Sequence, residues 1–329
     1  MNASLPRPAI SIVVPCLDEA EVFGRLRVEL AALADRVAPE LDTEILLVDD
    51  GSRDLTWSLI REFASADRRV RGVCLSRNFG QQAALTCGYD LATGDAVVSM
   101  DADLQDPPEV VLEMIDLWRK GADVVVAVRD EREGETRFKR WTAALFYRVA
   151  RMLGGEHVRA DLGDFRLLSR RSLLALRRLR EQHRFVRGMV GWIGFPTAEV
   201  RYTRRPRAGG RTKYDIGRML RLAADAAVSF SLVPLRLAYL VSFVIALGAI
   251  GILAYSLLRH VVGGEPLVPG WPSLLLVITA FGAMTLCYLG ILGEYVGRIY
   301  EQGKQRPLYF VEEDTVGSPS RPSRERDEN

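Results

Sequence analysis

Acidic side chains follow two short β-branched runs of the sequence, in the segments LLVDDGSRD and VVSMDADLQDPPE. In the second segment Asp101 and Asp103 are two residues apart, so in extended backbone both carboxylates project to one side. Such carboxylates repel each other unless a hard cation lies between them, and Mg²⁺ or Mn²⁺ takes carboxylate oxygens while keeping positions open for phosphate oxygens. Taken alone, the spacing is more typical of a solvated acidic loop. It favours a metal site if it closes a strand in the same sheet as the VDDGS turn.

The other pair of carboxylates, Asp49 and Asp50, stands in the tight turn VDDGSRD. At the carboxyl end of a strand, a carboxylate can accept hydrogen bonds from a base imide or from ribose hydroxyls. Asp and Gly are also common in turns, and Asp54 suits a helix N-cap. A nucleotide-binding role and a purely structural turn both remain open on these residues alone.

The sequence lacks the residue patterns of several other kinds of site. The first apolar run leads into VVPCLDEAE, without the glycine-rich loop of a dinucleotide fold or a P-loop. The three histidines are scattered, which gives a His-ligated metal or a His-based triad little support. The cysteines have no CxxC spacing and are expected to be small buried hydrophobic side chains in a reducing compartment: Cys16, Cys74, Cys87 and Cys287.

Strands and helices are expected to alternate over the first half of the chain. Short Val- and Ile-rich runs predict strands at 10–14, 44–48, 70–75, 96–100 and 124–128. The amphipathic runs between them predict helices at 19–36, 54–66, 81–92 and 108–120, and a later one predicts a helix near 141–153. This alternation predicts an α/β domain with a mostly parallel sheet. Ligands of such a sheet bind at the carboxyl ends of the strands, where both acidic segments lie.

Two apolar runs, 237–258 and 273–293, contain no Asp, Glu, Lys or Arg. Each matches the roughly 20 residues that a helix needs to cross a bilayer, so a purely soluble protein is excluded. Basic residues precede the first run and follow the second, which predicts a hairpin in the inner (plasma) membrane with both termini cytoplasmic. We expect no signal peptide, because the first apolar run is short and leads into acidic residues. The net charge of +2 gives no sign of a nucleic-acid binder.

These features divide the chain into four parts. We expect an α/β domain at 1–210, an amphipathic juxtamembrane segment at 211–235, the hairpin at 236–298 and a cytoplasmic tail at 299–329. The tail is rich in Ser, Pro, Arg, Glu and Asp and is expected to be disordered from about residue 312. The juxtamembrane segment would suit the membrane interface. Its packing in a homo-oligomer is left open.

Five segments, VVPCLDE, VDDGSRD, SRNFGQQAAL, MDADLQDPPE and GDFRLLSRR, follow one another in that order. With them the chain resembles the family 2 glycosyltransferases of the GT-A (Rossmann-like) fold. It is most similar to the polyisoprenyl-phosphate glycosyltransferases, which include dolichol-phosphate mannose synthase and bacterial undecaprenyl-phosphate glucosyltransferases. The late segments GGRTKY and LGEYVGRIYEQGKQRPLY favour the bacterial branch. The resemblance covers nearly the whole chain except the tail and makes 1–210 a GT-A catalytic domain.

The resemblance implies a donor site for a nucleotide sugar. The positions that line the nucleotide pocket in the family correspond to Pro15, Leu17 and Glu19, and Asp50 stands where the family hydrogen-bonds the base. Together with Asp49 beside it and Asp101 in the second acidic segment, these are the expected nucleotide-binding residues. The metal- and diphosphate-binding motif DxDxQ corresponds to Asp101, Asp103 and Gln105. The implied cofactor is Mg²⁺ or Mn²⁺.

The resemblance also implies a site for a polyprenyl-phosphate acceptor. Basic residues that correspond to the region receiving the lipid phosphate are Arg129, Arg137, Lys139 and Arg140. A second basic tract contains Arg204, Arg207 and Lys213, whose charge suits the lipid phosphate but also fits positive-inside bias and attraction to anionic lipids. Asp164, in GDFRL, stands where the family places an acidic residue near the reaction centre. The implied catalytic residues are Asp103, Asp164 and Arg129. Thr212 replaces the commoner Ser of GxSKY and keeps the hydroxyl.

The implied reaction inverts the anomeric carbon in one step, through attack by the lipid phosphate oxygen. A phosphate monoester has its second pKa near about 6, so this nucleophile is largely ionised at neutral pH. No strong general base is then required, and Asp164 is better assigned to positioning than to proton removal. UDP-glucose is the expected donor, with GDP-mannose and a UDP-N-acetylhexosamine as alternatives.

Three other classes of protein fit the sequence motifs less well. A processive polysaccharide synthase needs QxxRW, yet Arg137 stands where Gln would precede Arg140–Trp141. A non-catalytic membrane-anchored nucleotide-binding scaffold predicts damaged acidic motifs, whereas both Asp pairs and Gln105 are intact. A phosphatase using Asp-x-Asp as nucleophile would place Thr or Val, rather than Gln105, two residues after the second Asp.

Overall fold

The structure is a computed structural model that describes residues 9–129, 162–203 and 271–316, together with separate positions between 241 and 262. The chain divides into two compact units. One contains Met1–Lys139, His157–Lys213 and Pro307–Asn329, and the other contains Arg140–Glu156 and Tyr214–Arg306. Each unit is described by itself below.

The first unit alternates strands and helices along most of its length. Its strands are β1 (Ala9–Cys16), β2 (Asp42–Asp49), β3 (Val70–Leu75), β4 (Ala96–Ser99), β5 (Val124–Arg129), β6 (Leu162–Ser169), β7 (Thr197–Tyr202) and β8 (Val311–Asp314). Its helices are α1 (Ala20–Val37), α2 (Thr56–Ala66), α3 (Gln81–Leu91), α4 (Val110–Arg119), α5 (Arg170–Arg178) and α6 (Val186–Trp192). The five strands and four helices predicted up to residue 120–128 are confirmed, with ends that shift by no more than a turn.

The eight strands form one sheet in the order β7-β5-β6-β4-β1-β2-β3-β8. The pairs β1–β2, β1–β4, β2–β3 and β5–β7 are parallel. Strand β6 lies antiparallel between β4 and β5. The expected α/β, mostly parallel sheet is therefore confirmed. The insertion of β6 brings residues from beyond residue 160 directly beside the carboxyl end of β4.

The main hydrophobic core lies between the sheet and helices α1, α2 and α4. Strand β1 contributes Ile10, Ile12 and Val14, while α1 contributes Leu26 and Leu30 from successive turns; all five are 0% exposed. Alternate residues of a strand share one face, whereas residues four apart share one face of a helix, so the two patterns meet in one layer. Burial of this kind on both sides of the sheet fixes which loops emerge at its carboxyl edge.

The residues after 311 correct one expectation. We expected disorder from about residue 312, but Val311–Asp314 pairs antiparallel with β3 at the edge of the sheet. Arg71 forms an ion pair with Asp314 at 2.6 Å, and the indole N–H of Trp57 donates to Glu313 at 3.0 Å. The charged composition that suggested a solvated tail supplies the partners of this edge strand. Residues 317–329 lie outside the described residues.

The second unit contains one long helix, α7 (Trp271–Gly303). Within the described residues, the segment Ala280–Gly303 is long and apolar enough to cross a membrane, judged by length and composition only. Helix α7 covers the predicted span 273–293. Most of the predicted span 237–258, the amphipathic segment 211–235 and the helix expected near 141–153 lie outside the described residues. The hairpin therefore stays a prediction.

The cysteine prediction is confirmed at three positions of four. Cys16, Cys74 and Cys87 are buried in the first unit, while Cys287 is exposed on α7. Cys287 was wrongly expected to be buried, because an apolar sequence environment does not distinguish a core from an outward helix face. All four cysteines are free thiols.

Gly88 tests how closely α3 packs on the sheet. A Cβ at this position would lie 2.1 Å from Cγ1 of the buried Val13. We expect Gly88→Ala to lower the free energy of unfolding by about 1–3 kcal/mol through overpacking, despite the better helix propensity of Ala. Urea denaturation of the purified protein measures this change.

Gly24→Ala on α1 is the matched control, because a Cβ there would meet no atom within 4 Å. It should raise the stability by up to about 1 kcal/mol. Equal effects of the two substitutions would contradict the close α3–β1 packing.

Candidate active site

The loops after β1 and β2 are joined to each other by hydrogen bonds from backbone N–H groups to side-chain oxygens. The backbone N–H of Asp18 donates to Ser52 Oγ at 2.9 Å, and the N–H of Arg53 donates to Asp18 Oδ1 at 2.8 Å. The N–H of Glu19 donates to the Thr56 hydroxyl at 2.9 Å, and the N–H of Ala20 donates to Asp54 at 3.0 Å. The two predicted donor-site segments therefore form one connected wall at the carboxyl edge of the sheet. Its Asp18 has a φ of 52°, which a non-glycine residue rarely adopts.

Asp49 is buried in this wall and holds it together, and its nucleotide-binding role stays a prediction. It is 0% exposed and accepts from the backbone N–H and hydroxyl of Ser52 and, at 3.3 Å, from the thiol of Cys74. Burial raises the pKa of its carboxyl, while the bonds from Ser52 and Cys74 oppose that shift. Because Ser52 in turn holds Asp18, Asp49 fixes the junction of the two loops.

Asp50 faces the next loop along the sheet. Its two carboxylate oxygens accept from the backbone N–H groups of Phe79 and Gly80, at 2.8 and 2.9 Å. Burial raises its pKa, opposed by these two amides. The neighbouring Gly51 has a φ of +71°, and a Cβ there would lie 2.5 Å from the carbonyl carbon of Arg77. The DDG turn and the loop before α3 are therefore in direct backbone contact, which no other residue type at position 51 would allow.

The remaining predicted nucleotide residues line the same edge. Pro15 is half-buried near the end of β1, and Leu17 and Glu19 are half-buried in the following loop. Of the three, Glu19 contacts the other loop, through its backbone N–H and the Thr56 hydroxyl. Because Pro15 pairs in register with Val48, the structure brings Pro15, Leu17, Glu19 and Asp50 to the carboxyl ends of two neighbouring strands.

The DxDxQ segment directly follows β4. Asp103 accepts the backbone N–H of Gln105 at 3.1 Å, and Leu104 between them has a φ of 56° while only 7% exposed. A branched residue in this left-handed region stores conformational energy of about 1–3 kcal/mol, which persists where the surroundings impose it. The buried Gln105 and Asp106 follow, and the hydroxyl of Tyr202 donates to Asp106 at 2.5 Å. The loop is therefore held in one conformation by β7 and by its own backbone.

Burial and the surrounding carboxylates change the pKa of Asp101. Burial, followed by the negative charges of Asp106, Asp164 and Asp103, raises its pKa to about 7. A carboxyl with this pKa is only partly ionised at neutral pH, because its anion is desolvated among like charges. A divalent cation beside Asp101 would offset this desolvation and repulsion and so favour the ionised carboxylate.

The donor set fits a metal that is shared with a ligand. Within the described residues, no three Asp, Glu, His or Cys side chains form a metal-binding group on their own. Mg²⁺ is usually held by one or two carboxylates together with substrate phosphates and waters. Asp101 and Asp103 therefore fit an ion that is completed by a diphosphate, and they do not fit a closed structural site.

Asp164, on β6, lies beside this loop and binds two arginines. Arg166 donates to its Oδ1 at 2.8 Å, and Arg187 donates to Oδ1 and Oδ2 at 3.2 and 3.0 Å. Burial alone would raise the pKa of Asp164, yet the two guanidinium groups lower it below its usual value. The carboxylate is therefore ionised, and its oxygens bind cations.

Two consecutive glutamines at the start of α3 join the acidic groups. The side-chain amide of Gln81 donates to Asp101 at 2.9 Å, and that of Gln82 contacts Asp164 at 3.4 Å. The Gln82 carbonyl oxygen accepts the backbone N–H of Val186 at 3.1 Å. Helix α3 thus connects the metal loop, β6 and the beginning of α6.

Four residues of this cluster were missed by sequence reasoning as functional positions. Gln81, Gln82 and Arg166 lie in segments that were already recognised, but uncharged amides and a buried arginine carry no signal by type alone. Arg187 lies outside every recognised segment. Spacing within a motif predicts neighbours along one strand, whereas these contacts join α3, β6 and α6.

The predicted acceptor residues are described least. Arg129 ends β5, and Arg137, Lys139, Arg140, Arg204, Arg207 and Lys213 lie outside the described residues. Their phosphate-binding role stays a prediction.

The pKa of Asp101 predicts a pH-dependent stability in metal-free protein. Because its pKa is about 7 in the folded chain and near 3.8 in the unfolded chain, the folded state binds more protons between these values. Its contribution to stability must fall as pH rises from about 4 to about 7 and then level off. We expect Asp101→Asn to melt at a higher temperature than wild type at pH 8, with the difference shrinking toward pH 4.

Melting temperatures of both proteins in EDTA across this pH range measure the effect. Asp116→Asn, on the exposed side of α4, removes one carboxylate away from the cluster and should show no such trend. A pH-independent difference for Asp101→Asn would contradict the repulsion.

Comparisons with known proteins identify the family of the chain. Residues 11–177 match the model of glycosyl transferase family 2. An uncharacterized glycosyltransferase of Bacillus subtilis (strain 168), YkcC, is 42% identical over 302 residues, covering 92% of this chain and 93% of its own length. The SfII prophage-derived bactoprenol glucosyl transferase of Shigella flexneri is 37% identical over 313 residues, covering 94% and 99%.

Among solved structures, mannosyl-3-phosphoglycerate synthase from Rubrobacter xylanophilus is similar with a TM-score of 0.47 and 20% identity, over 68% of this chain and 73% of that one. The family assignment rests on the sequence matches. Because the family model spans about half of the chain and relatives align over more than nine tenths of it, the chain belongs to glycosyl transferase family 2 and is a glycosyltransferase.

Proposed function

We propose that the protein transfers glucose from UDP-glucose to a polyprenyl phosphate (undecaprenyl phosphate) at the cytoplasmic face of the membrane, with inversion and with a divalent metal. The observation that carries this proposal is the 37% identity, over 94% of the chain, to a relative named bactoprenol glucosyl transferase. A prophage homolog of that name in Escherichia coli (strain K12) is likewise 37% identical over 92% of the chain. The intact DxDxQ segment at the carboxyl end of β4 supports the same reaction.

The donor would lie along the carboxyl edge of the sheet. Asp101, Asp103 and Gln105 would hold Mg²⁺ or Mn²⁺ together with the diphosphate, and the ion would stabilise the negative charge that develops on the leaving group. Pro15, Leu17 and Glu19 would line the nucleotide pocket. Asp50 would act through the loop of Phe79 and Gly80, whose amides it binds, as well as by direct contact with the base.

The acceptor phosphate needs positive charge rather than a base. It is already largely ionised at neutral pH, since its second pKa is near about 6. Guanidinium groups bind phosphate through paired hydrogen bonds, which suits Arg129, Arg137 and Arg140, with Lys139 beside them. Arg204, Arg207 and Lys213 would form the second basic tract at the membrane surface.

The membrane anchor would keep the enzyme in the layer that contains its lipid substrate. We assign it to a hairpin of 237–258 and 273–293, with the catalytic domain and both termini cytoplasmic. Confinement to the bilayer raises the effective concentration of the acceptor without any added contact. The long apolar helix α7 supports the second of these spans.

The transfer itself is tested with purified full-length protein in lipid nanodiscs. We expect radiolabel to move from UDP-glucose to undecaprenyl phosphate only when Mg²⁺ or Mn²⁺ is present. Asp103→Asn should lower kcat/KM by about 100- to 1000-fold, because the ion then loses a carboxylate ligand. Asp116→Asn should behave like wild type.

GDP-mannose and UDP-N-acetylglucosamine serve as alternative donors in the same assay. Transfer from one of them would keep the reaction class and replace the donor. No transfer from any of the three, with a melting temperature that no nucleotide sugar raises, would overturn the proposed function and favour a non-catalytic scaffold.

The membrane orientation is tested by labelling with a membrane-impermeant maleimide. A cysteine in place of Glu265, in the predicted connector, should be labelled from outside intact bacterial cells. A cysteine in place of Ser318, in the predicted cytoplasmic tail, should be labelled only after lysis. The reverse pattern would contradict the positive-inside assignment.

A further inference from the structure

The residue just before β8 contacts the loop that leads into α3 (residues 76–80, the 76–80 loop). The backbone N–H of Ser76 donates to the carbonyl oxygen of Phe310 at 2.9 Å. The ring of Phe310 packs on that of Phe79, with the centroids 6.2 Å apart. One aromatic residue therefore holds the loop at its first residue through the backbone and near its end through the side chain.

A β-bulge in β8 decides which residue meets this loop. Between Cys74 and Leu75 the register of β3 and β8 shifts by one residue, because β8 contains one residue more than β3 at this point. The shift places Phe310 opposite Ser76, a position that Val311 would occupy in an unbroken ladder. Bulges change the direction in which side chains point, and this one brings an aromatic ring to the loop.

Phe310 is anchored on both sides along the chain. The hydroxyl of the preceding Tyr309 donates to Asp90 at 3.0 Å, and its ring packs on the buried cluster between α3 and strands β2 and β3. On the other side, Asp314 forms its ion pair with Arg71 at 2.6 Å. Because its segment is fixed at both ends, Phe310 can restrain the 76–80 loop instead of moving with it.

The 76–80 loop is bound in turn to residues expected to hold the donor. The carboxylate of Asp50 accepts from the backbone N–H groups of Phe79 and Gly80. Helix α3 begins directly after the loop, and its first residue, Gln81, donates to Asp101 at 2.9 Å. A displacement of the loop would therefore move the partners of Asp50 and of Asp101 together.

Gly80 makes the start of α3 depend on this loop. Its φ is +99° and its ψ is 151°, a conformation that favours glycine, and glycine has no side chain that could cap the first turn of the helix. The backbone N–H of Gly80 is held at 2.9 Å by Asp50. The start of α3 is thus positioned by Asp50 on one side and by the contact of Phe79 with Phe310 on the other.

Burial explains only part of the placement of Phe310. The residue remains 55% exposed, so its ring gains only part of the free energy of a buried aromatic side chain. Phe79 is half-buried, and the guanidinium of Arg77 lies over its ring, 4.0 Å from the centroid. Removal of the Phe310 ring should consequently disturb the loop more than the core of the domain.

We propose that Phe310 is a positioning residue for the nucleotide of the donor. Its carbonyl and ring hold the 76–80 loop, and the loop holds Asp50 and the start of α3 in the arrangement that binds the nucleotide. A loop that is ordered before binding loses less conformational entropy when the ligand binds. The inference rests on the proposed function in that the nucleotide is taken to bind along this edge of the sheet.

The order of the strands separates this effect from the acceptor. Strands β3 and β8 lie at one end of the sheet, beyond β2, whereas β5 lies on the other side of β4. Arg129, the first residue of the predicted acceptor region, ends β5. A change at Phe310 should therefore weaken binding of the donor and leave the KM for the acceptor unchanged.

Phe310→Ala in the full-length protein tests the proposal. It should raise the Kd for UDP with Mn²⁺, measured by calorimetry, by about 2- to 10-fold, the range that corresponds to one aromatic pair. The KM for UDP-glucose should rise by a similar factor, while kcat and the KM for polyprenyl phosphate should change less. Phe310→Tyr keeps the ring and should restore values close to those of wild type.

Phe63→Leu is the matched control for stability. Phe63 also pairs with an aromatic ring, that of Phe23 at 6.5 Å, and Arg27 lies over it at 5.3 Å. This group lies between α1 and α2, and Phe63 is only 2% exposed. The control should lower the melting temperature at least as much as Phe310→Ala does, yet leave the Kd for UDP unchanged.

Hydrogen exchange shows where the change occurs. In Phe310→Ala the amides of Ser76, Phe79 and Gly80 should exchange faster than in wild type, while those of β1 keep their protection. This measurement is made without nucleotide, so it does not depend on the identity of the donor.

Unchanged affinity of Phe310→Ala for both UDP and GDP would overturn the positioning role. An equal loss of affinity in Phe63→Leu would also overturn it, because general destabilisation would then explain the effect. Failure of the proposed function looks different: wild type would bind UDP with Mn²⁺ but transfer no sugar to polyprenyl phosphate, and the titrations would still report on Phe310. A wild-type protein that binds neither nucleotide would overturn both.

Discussion

Repulsion among carboxylates at the carboxyl end of β4 is the constraint on which the site depends. Asp101, Asp103, Asp106 and Asp164 lie close enough for the last three to raise the pKa of the first to about 7. Because these carboxylates repel one another, the cluster persists only if other contacts prevent the backbone around it from moving apart. The partners of Asp106 and Asp164, namely Tyr202 on β7 and two arginines, do this from neighbouring elements. Asp101 has the raised pKa in this cluster, and a cation beside it would stabilise its ionised form.

The antiparallel strand β6 places a guanidinium group beside these carboxylates. A sheet made only of parallel strands would place another strand end, with its loop, next to β4. Because β6 runs the other way, Ser99 pairs with Arg166, and the Ser99 hydroxyl donates to the carbonyl of Asp164 at 2.5 Å. A carboxylate and a buried guanidinium are thereby placed on the strand, two residues apart, beside the DxD loop. The positive charge of Arg166 comes from the strand itself rather than from a loop.

The sequence predicted the parts of this arrangement that follow one strand and its turn. The Val- and Ile-rich runs that became β1 to β5 are buried on both faces, so their composition alone located them. Strand β6 was not predicted, because LGDFRLLS has its apolar run interrupted by Asp164 and Arg166. Strand β8 was taken for a solvated tail for the same reason, since Glu313 and Asp314 act through Trp57 and Arg71, which lie 256 and 243 residues away. Strands with charged side chains are stabilised by partners that are distant in the sequence, and a local sequence pattern does not predict these partners.

The contacts of Asp50, at the site itself, were likewise not predicted by the local sequence. Motif and resemblance predict that it contacts the nucleobase, and in the structure its carboxylate accepts from the backbone amides of Phe79 and Gly80. The two roles are compatible if the loop that Asp50 holds is itself part of the donor pocket. Phe310, directly before β8, packs on Phe79 with ring centroids 6.2 Å apart, and its carbonyl accepts the N–H of Ser76 at 2.9 Å. The loop before α3 is thus fixed by Asp50 on one side and on the other by the segment that follows α7 in the sequence.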